Sequence, residues 1–231
     1  KNWLEQHGVD FGKAMVAVTA AGPRAREWGI DPQHIFTFAE GVGGRYSLWS
    51  PVGLAAMIAI GSDDFASMLA GGYAMDCHVQ QAELQQNIGV IMGLLRVWHR
   101  SYLHRPAYGL IPYDQRLAQL PAWAQQLEME SNGKAVDRHG HGLQRPAGPL
   151  LWGAPGTNAQ HSFFQWLHQS LDVIPIDVLV AMQPAAGLDQ VASWDSHKAL
   201  AINAVAQAEA LALGTTNSDE PHRHFPGNRP S

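Results

Sequence analysis

A single cysteine, Cys77, stands among 231 residues, which excludes an internal disulfide and suits a reducing compartment. A lone thiol of this kind ordinarily serves as a small buried hydrophobe. Clustered Lys and Arg are also lacking. Only 15% of residues are charged and the net charge is −5, the reverse of the basic footprint that a nucleic-acid surface needs. No apolar run reaches the ~18 residues that would span a bilayer. Residues 52–60 and 88–95 come nearest, are interrupted by glycine, and read as buried helices. Initiator methionine, signal peptide and basic leader are all missing, and the sequence stops within a loop-like Asn228-Arg229-Pro230-Ser231. An internal segment of a longer protein is therefore expected. What remains is 46% apolar, enough for one large globular domain or parts of two.

Local patterns predict an α/β protein. Residues 15–19 form a short apolar run with β-branched side chains and read as a buried strand. Gly22-Pro23 opens a short helix that Gly29 closes, and residues 34–38 supply a second strand. Strand, helix, strand at this spacing predicts a parallel sheet. Three helices are expected at 52–60, 63–81 and 87–104, with Ser62 as N-cap ahead of Asp63 and Asp64. They carry little polar chemistry and read as a connector between sheets. Another strand is expected at 108–111, followed by a helix that opens at Pro112-Tyr113-Asp114, is kinked or restarted at Pro121 and runs to Glu130. Strands are also expected at 149–152 and at 173–182, the latter late-starting or at an edge because of Pro175. A helix over 193–213 would be capped by Ser193 or Ser196, bury Leu200, Val205, Ala208 and Leu211, and end at Gly214. The polar tail from Thr215 reads as a partly mobile loop.

Three places carry candidate chemistry. Trp123, Leu127 and Glu130 fall at i, i+4 and i+7, which would set a carboxylate on a stripe with two large apolar side chains. Loss of hydration there would tune Glu130 as a general base, with Gln126 one turn earlier to orient it or a ligand. The plainer alternative is a last-turn glutamate swung into solvent. Gly41, Gly43 and Gly44 precede Arg45, a flexible backbone followed by a fixed cationic fork for an oxyanion or phosphate. The stretch fits neither the dinucleotide fingerprint nor the Walker pattern, and a glycine turn with a solvated arginine is its alternative. After the 149–152 strand, Gly153 to Gly156 lead into a helix expected to start at Thr157 or Asn158, with His161 in its first turn and Phe163, Phe164, Leu167 and Leu171 buried. The positive end of that helix would favour a neutral imidazole. The alternative is a histidine that only packs. His139-Gly140-His141 and His222-Arg223-His224 lack further ligands at suitable spacing, so no metal site is expected.

Val42-Gly43-Gly44-Arg45-Tyr46-Ser47-Leu48-Trp49-Ser50 resembles a signature of the glucose-6-phosphate isomerase family. So do Met129-Glu130-Ser131-Asn132-Gly133-Lys134, the run from Trp152 to His161, and the closing Gly227-Asn228-Arg229-Pro230-Ser231. The likeness covers essentially the whole chain. It implies two sugar-isomerase (SIS) domains, each a parallel sheet flanked by helices. Residues 1–50 would end the first, 51–95 would form a helical connector, and 96–231 would be the second, incomplete at its C-terminus. It also implies interconversion of glucose 6-phosphate and fructose 6-phosphate through a cis-enediol, in the cytoplasm, without metal or organic cofactor. Glu130 would move the proton between C2 and C1, and Arg45 would steady the enediolate. His161 would assist ring opening across a homodimer interface, and Gly44 and Gln126 would touch substrate. Two departures are visible: Ala39-Glu40-Gly41 replaces the family's Trp-Asp-Trp, and Pro121 is unusual before the base. The family's Ser/Thr-rich phosphate loop and catalytic lysine lie outside these residues, so this segment alone is expected to be inactive. A non-catalytic SIS-type sugar-phosphate binding module is the competing reading. An extracellular signalling role, which some family members resemble, has no support in these residues.

Overall fold

The computed structural model describes residues 1–184, 190–216 and 219–230, with the backbone alone for 190–193 and 221. Ser231 of the closing motif falls outside what is described, and neither Ser193 nor Ser196 caps its helix, because the helical backbone already runs from Gln190. The chain divides into two compact units, Lys1–Gly89 and Val90–Ser231.

In the first unit, the β-branched run becomes strand β1 (Ala17–Thr19), after short helices α1 (Asn2–Gln6) and α2 (Phe11–Ala14). Helix α3 (Gly22–Glu27) connects it to β2 (Ile35–Thr37), and the two strands pair in parallel with Ala17 opposite Ile35. Pro23 sits in the first turn of α3, where a missing N–H costs nothing. The glycine cluster leads into a 3-10 helix, Gly44–Trp49, and then α4 (Leu54–Ile60) and α5 (Ser62–Gln81). Ser62 is not the N-cap: Gly61 takes that place at φ +93°, a left-handed conformation that glycine holds without strain. Helix α6 (Ile88–Val97) ends in a π-helical turn, Trp98–Tyr102. The apolar runs at 52–60 and 88–95 are helical but not buried: Ile58 and Ile60, and Ile88, Leu94 and Leu95, are exposed in the single chain. Composition set their apolar character, but burial needs a covering surface, and none of the described elements provides one.

The second unit is built on β3 (Ala107–Pro112), the central strand of a three-stranded parallel sheet in the order β4-β3-β5. The expected helix from Pro112 to Glu130 is broken into pieces. Asp114 caps a 3-10 helix, Gln115–Leu117, then comes α7 (Leu120–Gln125), then a π-helical turn, Gln126–Glu130. Of the two expected effects Pro121 shows the restart, not the kink: it occupies the first turn of α7, where proline is well tolerated. Strand β4 (Leu150–Trp152) pairs with the start of β3, Ala107 facing Leu150. Helices α8 (Gly156–Ala159) and α9 (Phe164–Gln169) lead to β5 (Ile176–Leu179), which begins just after Pro175 and lies at one edge. Helix α10 (Gln190–Leu213) starts before the expected position and ends at Gly214 with φ +69°. Ile111, Tyr113, Phe164, Leu167, Ile176, Ala204 and Leu211 form the core. Leu171 and Val205, expected inside, are exposed; Leu171 lies beyond the end of α9, and Ala204 takes the inward place on α10.

The tail differs from a loose loop. Asn228 and Arg229 donate backbone hydrogen bonds to Ala212 O and Leu211 O, and Ile176 N donates to Pro230 O. Arg229 is 6% exposed and donates from Nη1 to Asp172 O at 2.7 Å and from Nη2 to Ser170 O. Among the described residues, no helix is long and apolar enough to cross a membrane.

Candidate active site

Glu130 and Gln126 lie on the π-helical turn, and both are exposed. An extra residue per turn explains why the predicted stripe fails. The wider spiral shifts everything beyond it by about one position, roughly 100° around the axis. Trp123 is moreover exposed itself, so the dehydration expected from the Trp123–Leu127 line does not arise within this unit. Gln126 and Glu130 nevertheless share a face, since four residues nearly complete one π-helical turn. The turn is tied down from inside. Gln125 Nε2 donates to Leu151 O at 3.1 Å, and Arg96 Nη1 meets Glu128 Oε2 at 2.7 Å. Gly133 N caps the turn at Met129 O, 2.9 Å away, where a Cβ on Gly133 would come within 2.2 Å of the same oxygen. Lys134 Nζ donates to the Glu130 carbonyl.

His161 occupies a turn between α8 and α9, not the first turn of a helix, so the helix-end argument for its neutrality lapses. Pro155, not Thr157 or Asn158, stands at the N-cap. The imidazole is exposed and, among the described residues, makes no hydrogen bond or ion pair. Its turn is clamped to the end of β3: a Cβ on Gly153 would lie 1.8 Å from Leu110 O, and one on Gly156 would lie 2.2 Å from the Tyr113 ring. Gln160 Nε2 donates to Tyr113 Oη at 3.3 Å. Burial pushes the Tyr113 hydroxyl up from its ordinary pKa, partly offset by that amide.

The two turns are tied to different residues of the same strand. Arg96, which holds Glu128, stacks on Tyr108 near the start of β3, whereas the His161 turn packs on Leu110 and Tyr113 at its finish. Tyr108 and Tyr113 are five residues apart, roughly 16 Å along a strand. Gly44 and Arg45 belong to the first unit. Gly44 opens the 3-10 helix with nothing within 4 Å of a would-be Cβ, and half-buried Arg45 lies 5.6 Å from the Tyr46 ring centroid.

Sequence reasoning missed the support beneath the Glu130 turn. Arg96 lies 4.2 Å over the Tyr108 ring, and Tyr108 Oη donates to Asp177 Oδ1 at 2.6 Å. No local pattern announces partners 32 and 69 residues apart.

A carboxylate and a carboxamide on a braced turn, beside a parallel sheet flanked by helices, define an α/β protein with a polar site displayed on a rigid frame. The phosphoglucose isomerase family model matches residues 1–231. The glucose-6-phosphate isomerase of Xanthobacter autotrophicus is 46% identical over 95% of this chain and 43% of its own length. That of Ruegeria pomeroyi is 43% identical over the whole chain and 46% of its own. The solved glucose-6-phosphate isomerase of Chlamydia trachomatis superposes with a TM-score of 0.88 at 36% identity, over all of this chain and 44% of that one. The chain belongs to the phosphoglucose isomerase family, and it spans less than half the length of these relatives.

Proposed function

We propose that the protein carrying this chain is an aldose–ketose isomerase that interconverts glucose 6-phosphate and fructose 6-phosphate through a cis-enediol. The observation that carries the reading is the shared exposed face of Gln126 and Glu130 on a turn braced from behind. Glu130 takes the proton from C2 and returns it to C1. Gln126 and the open backbone at Gly44 touch the substrate, and the Arg45 guanidinium steadies the enediolate charge. His161 assists ring opening. Its turn packs on Leu110 and Tyr113 of β3, whereas the Glu130 turn is braced through Tyr108, and His161 is read as supplied by a second copy in a homodimer, as the family resemblance implies. On this reading, residues 1–50 and 96–231 are parts of two SIS domains joined by a helical connector at 51–95, in a cytoplasmic enzyme.

The test is isotope exchange at substrate C2 in the full-length protein. Exchange is expected in the parent and is expected to vanish in Glu130→Gln. A parent that binds sugar phosphate without exchange would instead mark a binding module. The 231 residues alone are expected to be inactive, because the phosphate loop and lysine implied by the resemblance lie outside them. A coupled assay showing turnover near that of an intact isomerase would reverse that expectation.

A further inference from the structure

Glu128 lies two positions before Glu130 on the same π-helical turn, and its side chain is only 14% exposed. Its Oε2 pairs with Arg96 Nη1 at 2.7 Å, the Arg96 side chain being 25% exposed. On the other side, Gly148 leaves room for the carboxylate: a Cβ there would stand 3.1 Å from Glu128 Oε1. Arg96 does two things at once. Its guanidinium pairs with Glu128 and lies over the Tyr108 ring, and Tyr108 is itself anchored to Asp177 on β5. A planar fork can pair and stack together, which a lysine ammonium does less well.

Residues two apart on a helix point to nearly opposite sides. Glu128 held inward therefore means Glu130 held outward. With Arg96 removed, Glu128 would be left as an unpaired, mostly buried charge, and such a charge moves toward water. Rolling the turn to free it carries Glu130 toward the sheet. We propose that Arg96 is a positioning residue: through Glu128 it holds the π-helical turn in the orientation that presents Glu130 and Gln126 on one face. The inference rests on the isomerase reading of Glu130, since only there does its aim govern a rate.

The test uses the full-length protein with Arg96→Gln, Glu128→Gln, the double variant and Arg96→Lys. Each single change is expected to lower kcat by about tenfold or more, with a smaller rise in KM because Gln126 moves with the turn, since small misplacements of a reacting group are costly. The double variant should lose no more than the worse single, as both act through one contact. Arg96→Lys should recover a large part of the loss. Backbone hydrogen exchange over 126–134 should quicken in the singles while β3, β4 and β5 keep their protection. Unchanged exchange at 126–134, unchanged kcat, or faster exchange spread evenly over the strands would each overturn the proposal. If the parent protein has no isomerase activity, that reading falls by itself, and the exchange measurement still decides whether Arg96 holds the turn.

Discussion

Substituting Gly153 by alanine tests the packing that fixes the His161 turn. The new Cβ would stand 1.8 Å from Leu110 O, 2.8 Å from its carbonyl carbon and 3.2 Å from its nitrogen. A carbon–oxygen contact settles at roughly 3.3 Å, so about 1.5 Å must be found. Leu110 cannot yield it, because β3 is paired on both sides and its neighbour Ile111 is wholly buried. The obstacle is backbone, so no rotamer change relieves it. The turn after β4 must retreat instead, loosening Gly156 from the Tyr113 ring and Gln160 from its hydroxyl. Overpacking typically costs 1–3 kcal/mol, and an unyielding backbone puts this case at the upper end, ~3 kcal/mol. Unfolding entropy grows with chain length, and relatives of this chain are more than twice as long. At ~1 °C per kcal/mol, Gly153→Ala in the full-length protein should therefore lower Tm by roughly 3 °C. Scanning calorimetry measures this directly. On the proposed function, kcat should fall as well, since His161 rides on the same turn. A variant melting within about 1 °C of the parent would refute the described packing.

Two further outcomes follow from other parts of the chain. Gly44→Ala should leave Tm nearly unchanged, since its Cβ meets nothing within 4 Å, yet raise KM if substrate approaches that backbone; equal KM in parent and variant would remove Gly44 from the site. Tyr108 has its hydroxyl pKa raised, first by burial and then by its hydrogen bond to Asp177. Folding thus favours the protonated phenol. That contribution is full below the unfolded value near ~10 and is lost as pH climbs above it. Denaturant midpoints measured from pH 9 to about 11 should fall more steeply in the parent than in Tyr108→Phe, and parallel curves would show that the phenol does not couple to folding.

The parallel architecture was legible in the sequence because it rests on local signals. Runs such as Met-Val-Ala-Val-Thr at 15–19 and Leu150–Trp152 are apolar, short and followed by helix-opening residues, and both form strands. Their expected burial fails in the single chain, where Val16 and Leu150 are exposed and only Leu151 is buried. The pairing of Gln126 with Glu130, and of Gly44 with Arg45, was equally readable from spacing. Other features depend on contacts that no local window holds. Ser62 has the right chemistry for a cap, but the backbone reversal at Gly61 takes the position first. Arg229 reads as a tail residue, and becomes buried only because carbonyls of Ser170 and Asp172, almost sixty residues earlier, point at it. The apolar helices at 52–60 and 88–95 show the converse. Their composition is that of an interior, and they stay exposed because burial belongs to a pair of surfaces.

The π-helical turn joins these two kinds of information. Sequence alone continues an α-helix from Trp123 to Glu130, which would leave the carboxylate beside tryptophan and leucine. A widened turn is less favourable than the α-helix it interrupts, and short π-helical insertions persist where something compensates. Here the compensation is visible: Gln125 bonded to β4, Glu128 paired with Arg96, Gly133 accommodating the Met129 carbonyl, and Gly148 leaving space for the Glu128 carboxylate. These contacts brace the turn while Glu130 and Gln126 stay exposed on it. On the proposed function, the walls of the site come from what is placed against this face, while the aim of Glu130 is set by the turn itself. That division explains how the acid can be exposed in this unit and still be held in one orientation.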